Sequence, residues 1–526
     1  MAATGGVALL STGLGWLRAE WAPASRATVA MLLPLGVAVA AGDLGAGLTM
    51  SLGAFAALYG RQEAYRRRAV MVGAVALGLV AAAALGTVAA ASTWTAALAI
   101  AVVGAVATWA AQSTALGPPG AYMVTLVAAV STHLPLPDGG LGERITFVAI
   151  GAAVAWCVAM SGALVRPAAP QTASLASAYD AVAALLRAPG PVTRHAAAVA
   201  LRIAADQLVA AGPRSRDAGR LRALHGYART AFLRGGDPDE FSGVAASLRA
   251  GRPVPVAVSA SPASVGEHLT SSSRWHLGPH SLAVPAGVRV FVAAVLAAAA
   301  ASAAQLPHAY WAPAAAVVVL QATSARLTMT RAGHRVVGTI AGVLLAAAVF
   351  ALEPSPVMVV IVVGLLQFVV EVVIGRLYAL GVAFVTPLAL LIAESGGDRM
   401  PLPALFADRL AETVLGCAVG ILVALVVLPR AATRRVPVAV ELVRARQRVL
   451  ETALSSGSSG PADSGPVARA RRDLVGALTS LAEAMRNAKG ELRPNAGALV
   501  EAGEAADAGW LAVTRVEGAD VPAPGA

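Results

Sequence analysis

An all-α, polytopic membrane protein is the fold class that this sequence predicts, and three observations predict it. The chain is 57% hydrophobic and only 13% charged, whereas soluble domains carry about 25% charged residues. Its mean hydropathy is +0.70. Apolar runs recur along two long blocks, and many approach the roughly 20 residues that an α-helix needs to cross a bilayer.

The first predicted transmembrane block covers residues 26–166, after an N-terminal segment of residues 1–25. Its apolar runs predict six spanning helices, of which the second and fourth are short for a full span. The runs lie at roughly 27–42, 44–60, 69–91, 94–111, 117–134 and 145–165.

The second predicted block covers residues 286–430 and repeats this pattern, so the chain is expected to carry about twelve transmembrane helices. Its apolar runs lie at roughly 287–305, 309–322, 336–352, 356–374, 377–393 and 410–428.

A polar helical region is predicted after each block. Residues 167–285 combine helical periodicity with a Pro- and Gly-rich linker at 251–285. Residues 431–526 form a polar tail that the SSGSSG segment at 455–460 interrupts with a flexible linker. We predict a cytoplasmic helical domain at the first position and a cytoplasmic helical tail at the second.

Matching residues in the two blocks indicate a tandem duplication. A single constant offset between matching residues, kept across nearly the whole block, is hard to obtain by chance in Ala- and Val-rich sequence. Pairs separated by 265 positions are Glu143 and Asp408, Arg144 and Arg409, Gly151 and Gly416, Arg66 and Arg331, and Gly73 and Gly338.

The arginines predict the orientation in the membrane. The net charge is +11, and the basic residues lie beside apolar runs rather than among interleaved aromatic residues, so nucleic acid is not an expected partner. Short basic loops stay in the cytoplasm. Both termini and both polar regions are therefore expected there, and the even number of helices per block makes the repeats point the same way, with a substrate path between them.

The stretch YWAPAAAVVVLQ, the basic turn after it and RVVGTIAG lie at residues 310–342. Together with Tyr378 and Thr386 in YALGVAFVTPLALL and with DRLAETVLGCAVG, they resemble the fusaric-acid-resistance (FUSC) or aromatic acid exporter family of bacterial membrane proteins. The resemblance is strongest over residues 286–430 and weaker over 20–166. A more distant similarity is to plant aluminium-activated malate transporters. The resemblance implies a multi-pass inner-membrane protein that exports organic, often aromatic, carboxylates.

Arg331, His334 and Arg335 follow each other at helical spacing near the predicted cytoplasmic end of a span. Such a cluster would attract carboxylates, which guanidinium groups bind in a bidentate fork. The alternative is topological, with these residues anchoring the helix by contact with lipid headgroups.

Arg144 and Arg409 lie at the predicted outer ends of equivalent spans, where positive charge is disfavoured. Across the pseudo-two-fold axis they could form a paired anion site facing the exit. Alternatively, a nearby acid neutralises each of them and each holds a helix end.

Glu371 lies inside an apolar run, with Gln367 on the same helical face. An ionisable group at this depth is expected to face protein or a water-filled cavity. The favoured interpretation is an ion pair with Arg376; the others are a proton carrier and a side chain that reaches the interface. Tyr310 and Trp311 could stack on an aromatic substrate, although an outer aromatic belt is the favoured interpretation.

The chain lacks GxxxxGK[ST], HExxH, CxxC and GxSxG motifs. We therefore expect no ATPase, metal centre, cofactor or enzyme activity. The predicted function is export of organic anions from the cytoplasm between the two repeats, with the bilayer and the anion as partners. A homo-oligomer or an envelope partner is left open. The alternatives are a non-transporting membrane scaffold or envelope assembly factor, and a passive anion channel.

Overall fold

A computed structural model gives the architecture. It describes residues 3–114, 116–212, 217–254, 281–307, 309–321, 324–394, 401–427, 432–456, 465–491 and 494–519, with nearly all side chains between residues 20 and 513. Every regular element in these ranges is helical, which confirms the all-α prediction. Most of the predicted 251–285 linker and of the SSGSSG segment lies outside the described residues.

The chain divides into two compact units, and the first contains both apolar blocks. It comprises residues 1–61, 68–162 and 282–429. Its helices in the first block are α1 (Ala3–Ala40), α2 (Leu44–Ala54), α3 (Tyr65–Ala89), α4 (Thr93–Ser113), α5 (Tyr122–Ser131) and α6 (Gly140–Val165). Those in the second block are α11 (Ala283–Ala303), α12 (Trp311–Leu320), α13 (Ala325–Ala351), α14 (Pro356–Val373), α15 (Tyr378–Glu394) and α16 (Leu402–Val426).

Eight of these helices are long and apolar enough to cross a membrane, judged by length and composition. The apolar helices at α2, α5, α12 and α15 are shorter. At 1.5 Å per residue, α12 is about 15 Å long, half of a hydrocarbon core of about 30 Å. All ten residues of α12 are buried, so this short helix is enclosed by protein rather than lipid. A count of twelve spans therefore stays a prediction.

The two blocks share an order of long, short, long, long, short and long helices. Glycines at matching positions bring α6 and α16 against the short second helix of their own block. A methyl group at Gly151 would overlap the carbonyl oxygen of Met50, and one at Gly416 would overlap that of Ala312. Small residues permit this close approach in lipid.

Helices from different blocks also pack against each other within this unit. α1 packs on α14, where Gly364 faces Leu32, and α4 packs on α11, where Gly104 faces Val290. In both contacts the first helix of one block packs on the fourth helix of the other, since α1 and α11 are the first helices and α4 and α14 the fourth.

The second unit comprises residues 62–67, 163–281 and 430–526. Tyr179 and Tyr227 both stack on Phe241, with 5.3 Å between ring centroids in each pair, in the core of its first helices. Arg202 donates a hydrogen bond of 3.2 Å to Thr479 and so joins those helices to the C-terminal ones. The helices are α7 (Ala169–Arg187), α8 (Pro191–Ala211), α9 (Ala218–Arg234), α10 (Pro238–Ala250), α17 (Arg435–Ser455), α18 (Pro466–Lys489) and α19 (Ala496–Ala519).

Candidate anion site

Two of the predicted arginines, Arg335 and Arg409, meet at one small cavity that lies mainly in the second block. The cavity has room for about one water molecule. Aromatic rings and threonine hydroxyls complete its wall, which is lined by Tyr122, Trp311, Arg335, Thr339, Val382, Val385, Thr386, Ala389, Leu390 and Arg409.

Arg335 reaches the cavity from α13 and is 3% exposed. It lies ten residues into α13, about 15 Å from the start of the helix. Its guanidinium carbon is 5.6 Å from the centre of the Tyr122 ring, a cation–π contact. The Tyr378 hydroxyl and the Cys417 thiol are further neighbours, and within the described ranges no carboxylate lies at ion-pair distance from Arg335. Arg335 is therefore enclosed by protein, and its place at a cytoplasmic mouth stays a prediction.

Arg409 reaches the same cavity from α16 and is 1% exposed. Its Nη2 donates a hydrogen bond of 2.8 Å to the Tyr310 hydroxyl, and its guanidinium carbon lies 4.5 Å from the centre of the Trp311 ring. Glu412, on the same helix, places an oxygen 3.6 Å from Nη1. Tyr310 and Trp311 are each 6% exposed. The favoured prediction of an outer aromatic belt is therefore wrong for these two residues, because both rings pack inward around Arg409.

The charged groups of this site are unevenly paired. Arg335 and Arg409 carry two positive charges, and Asp408 and Glu412 are the buried carboxylates of the neighbouring turns of α16. Glu412 lies beside Arg409 rather than Arg335. In a low-dielectric interior a guanidinium without a carboxylate partner interacts strongly with an added negative charge. The wall of this cavity therefore presents a guanidinium without a described carboxylate partner, Arg335, and an aromatic ring, Trp311.

Arg144, which matches Arg409 in the first block, lies in a different environment and is also 1% exposed. It donates hydrogen bonds to the Thr87 hydroxyl at 3.0 Å and to the carbonyls of Ser131 and Leu134 at 3.2 and 2.8 Å. The Pro135 carbonyl is a further acceptor. Arg144 does not line the cavity of Arg409, and no described carboxylate pairs with it. It holds the backbone that follows α5.

Glu371 has a different ion-pair partner from the one expected. It is 5% exposed and pairs with Arg61 from the turn before α3, while Gln367 donates a hydrogen bond of 3.2 Å to it. The favoured pairing with Arg376 is corrected accordingly, since Arg376 is an exposed residue after α14. The proximity of Gln367 and Glu371 agrees with their predicted shared face.

The remaining predicted residues do not join the cavity. Arg331 is half-buried and His334 is exposed, so only Arg335 of this cluster faces the interior. Helical geometry separates His334 from Arg335, because the two are rotated about 100° from each other around the helix axis.

Sequence reasoning missed three contributors. Tyr122 comes from the other block, and nothing in its local sequence indicates contact with Arg335. Glu412 could have been found, because an acid three residues after Arg409 inside an apolar run is itself unusual. Arg61 was assigned only to the orientation signal.

Comparison with known proteins gives two findings. Residues 295–423 match the family described as fusaric acid resistance protein-like, which confirms the resemblance noted for the second block. Over 479 residues the chain is 26% identical to the uncharacterized membrane protein YvaC of Bacillus subtilis (strain 168), covering 81% of this chain and 75% of that protein. No solved structure matches.

Proposed function

Since residues 295–423 form a fusaric-acid-resistance-like domain in a membrane protein, we propose that this chain transports organic carboxylate anions. The supporting observation is the pair of buried guanidiniums, Arg335 and Arg409, that line one cavity with Trp311. An aromatic carboxylate offers both a charge for the arginines and a ring for the tryptophan.

The path that we propose runs between two tandem six-helix repeats, with twelve helices in the bilayer and the domain boundaries given by the sequence. The swapped packing of α1 on α14 and of α4 on α11 supports this arrangement. The basic turns then face the cytoplasm of a bacterial inner membrane, together with both termini and the helical second unit. Transport is outward, and the four short helices border the path.

A carrier is favoured over an open channel by the size of the cavity. The cavity holds about one water molecule, so an organic anion cannot pass through it in this conformation. In the proposed carrier, the described conformation is closed, and the path opens by movement of one block relative to the other.

The test is uptake of labelled 4-hydroxybenzoate into sealed inverted vesicles, with and without a pH gradient. The variant Arg335→Gln should abolish saturable uptake at equal expression, because it removes the cation that lies without a carboxylate partner. Arg326→Gln is the matched control, since Arg326 is exposed on the same helix, and it should retain uptake.

The other outcomes of this experiment contradict the proposal in different ways. Absence of uptake by the parent protein would overturn transport of this substrate class and favour the scaffold function. Equal uptake by Arg335→Gln would overturn the proposed site. Anion currents across a bilayer without a proton gradient would favour a channel.

A further inference from the structure

The Arg61–Glu371 ion pair joins the two blocks at the end of the first unit that carries the basic turns. Glu371 belongs to α14 of the second block, and Arg61 precedes α3 of the first. The Arg61 side chain is 28% exposed and the Glu371 side chain 5%. Arg61 also lies 3.4 Å from Glu20 of α1.

Each side chain of this pair neutralises the charge of the other only while the two are in contact. Separating the partners of a buried ion pair is unfavourable, because it leaves an uncompensated charge. If Arg61 withdraws, Glu371 remains buried on α14 beside the neutral Gln367. A proton bound to Glu371 would then neutralise the charge that Arg61 leaves behind.

Few other charges face this pair. The charged and titratable groups on the elements packed around it are Glu20 and Arg26 of α1, Arg68 of α3, Arg376 after α14, and Tyr378 at the start of α15. Of these, Glu20 contacts the Arg61 side chain, and Arg68 donates a hydrogen bond of 2.9 Å to the Arg61 carbonyl. Glu371 is the carboxylate that is both buried and shared between the blocks.

A second hydrogen-bonded contact between the blocks, at α4, is neutral. Gln321, which ends α12, donates a hydrogen bond of 3.2 Å to Thr108 of α4 and accepts one of 3.4 Å from the Ala121 amide. This contact also joins the second block to the first, but it has no group that titrates. Of these two contacts, the Arg61–Glu371 pair is therefore the one that contains a carboxylate.

We propose that the Arg61–Glu371 pair is a proton-sensitive latch that closes the anion path at the basic-turn end. This inference rests on the proposed function, since it assigns a gate to the same path. In the closed state Glu371 is ionised and paired. In the open state it carries a proton, so acidification on that side favours opening.

Cys417 provides a native reporter for the test. The chain has two cysteines, Cys157, which is exposed, and Cys417, which is 3% exposed and neighbours Arg335. Replacing Cys157 by serine leaves one thiol beside the proposed anion site. Its labelling rate by a charged thiosulfonate added to sealed inverted vesicles measures access from the basic-turn end.

Starting from the Cys157→Ser parent, Glu371→Gln should raise the labelling rate at least about tenfold, because the latch is lost. Arg61→Gln should do the same, and the exchange Arg61→Glu with Glu371→Arg should restore slow labelling. Glu20→Gln is the matched control and should change the rate less than about twofold, as expected for a partly exposed pair. Unchanged labelling in both single variants would overturn the latch.

The proton sensitivity of the latch is measured by the pH dependence of Cys417 labelling. The ratio of the Glu371→Gln rate to the parent rate should fall toward one as the outer pH of the vesicles is lowered, and this ratio cancels the pH dependence of the thiolate itself. A ratio that stays constant with pH would overturn the proton-sensitive part. Protection of Cys417 by 4-hydroxybenzoate in Glu371→Gln tests the anion site separately, so failure of the site and failure of the latch are distinguishable.

Discussion

Arg144 and Arg409 occupy matching positions in the two blocks, are equally buried, and have different surroundings. The Arg144 guanidinium donates its hydrogen bonds to backbone carbonyls and to the Thr87 hydroxyl. Arg409 contacts Tyr310, Trp311 and Glu412 and lines a cavity. Equivalent arginines can therefore support the backbone in one block and line a cavity among aromatic rings in the other.

The cause of the difference can be read in the residues around each arginine. The positions that match Tyr310 and Trp311 are Gly45 and Ala46, and the one that matches Glu412 is Phe147. At these three positions the first block therefore lacks the tyrosine, the tryptophan and the acid that surround Arg409. The backbone after α5 folds back and supplies carbonyl acceptors instead.

Among the variants that test this comparison, the largest expected effect comes from Arg409→Gln. Glutamine retains hydrogen-bond donors but removes the charge, so saturable 4-hydroxybenzoate uptake should fall by about 100-fold or more, in line with losing a charge-assisted contact of roughly 3 kcal/mol. Uptake into inverted vesicles, normalised to protein that elutes as a folded species in gel filtration, measures it. Unchanged uptake would show that the two arginines are not functionally different.

Arg144→Gln should act on stability instead. It removes hydrogen bonds to several buried acceptors, at about 1 kcal/mol each, so a loss of about 4 kcal/mol is expected. The midpoint of thermal unfolding in detergent should fall accordingly, while uptake per folded molecule stays within about twofold of the parent. A specific loss of uptake with an unchanged midpoint would reverse the roles assigned to the two blocks.

The second unit contains a buried basic residue, His225, that stays neutral, unlike the buried arginines of the first unit. His225 is 6% exposed and its Nε2 lies 3.0 Å from the Leu201 carbonyl. Burial lowers the pKa of His225 to about 4, from an ordinary value of 6.5. The unfolded chain therefore binds the proton first as pH falls, so stability is complete above pH 6.5 and decreases between pH 6.5 and about 4.

The shift corresponds to a loss of about 3 kcal/mol across this range. Hydrogen exchange of peptides from α8 and α9 in the full chain should accelerate as pH falls from 7 to 5, after correction for intrinsic exchange. His225→Gln should flatten this dependence, because glutamine can donate to the same carbonyl without titrating. An equally steep dependence in that variant would assign the effect to another group.

The sequence could predict helices and charges better than contacts. The composition and the apolar runs predicted an all-helical membrane protein, and a depth argument placed Glu371 against protein. The ion-pair partner of Glu371 was wrong because Arg61 is distant in sequence and comes from the other block. Tyr310 and Trp311 were assigned to an interface because an aromatic pair at a predicted helix end has the same pattern whether it faces headgroups or an arginine.

The smallest expected effect concerns the ring at the site, and it asks whether the second block differs in shape as well as charge. Trp311→Leu keeps an apolar side chain but removes the ring that lies over Arg409. Aromatic contacts contribute roughly 1 kcal/mol beyond their buried area, so the half-saturation concentration for 4-hydroxybenzoate should rise about fivefold. An aliphatic carboxylate of similar size, such as hexanoate, should be affected less than about twofold. An equal change for both anions would assign Trp311 to packing around Arg409 and leave charge as the only distinction between the two blocks.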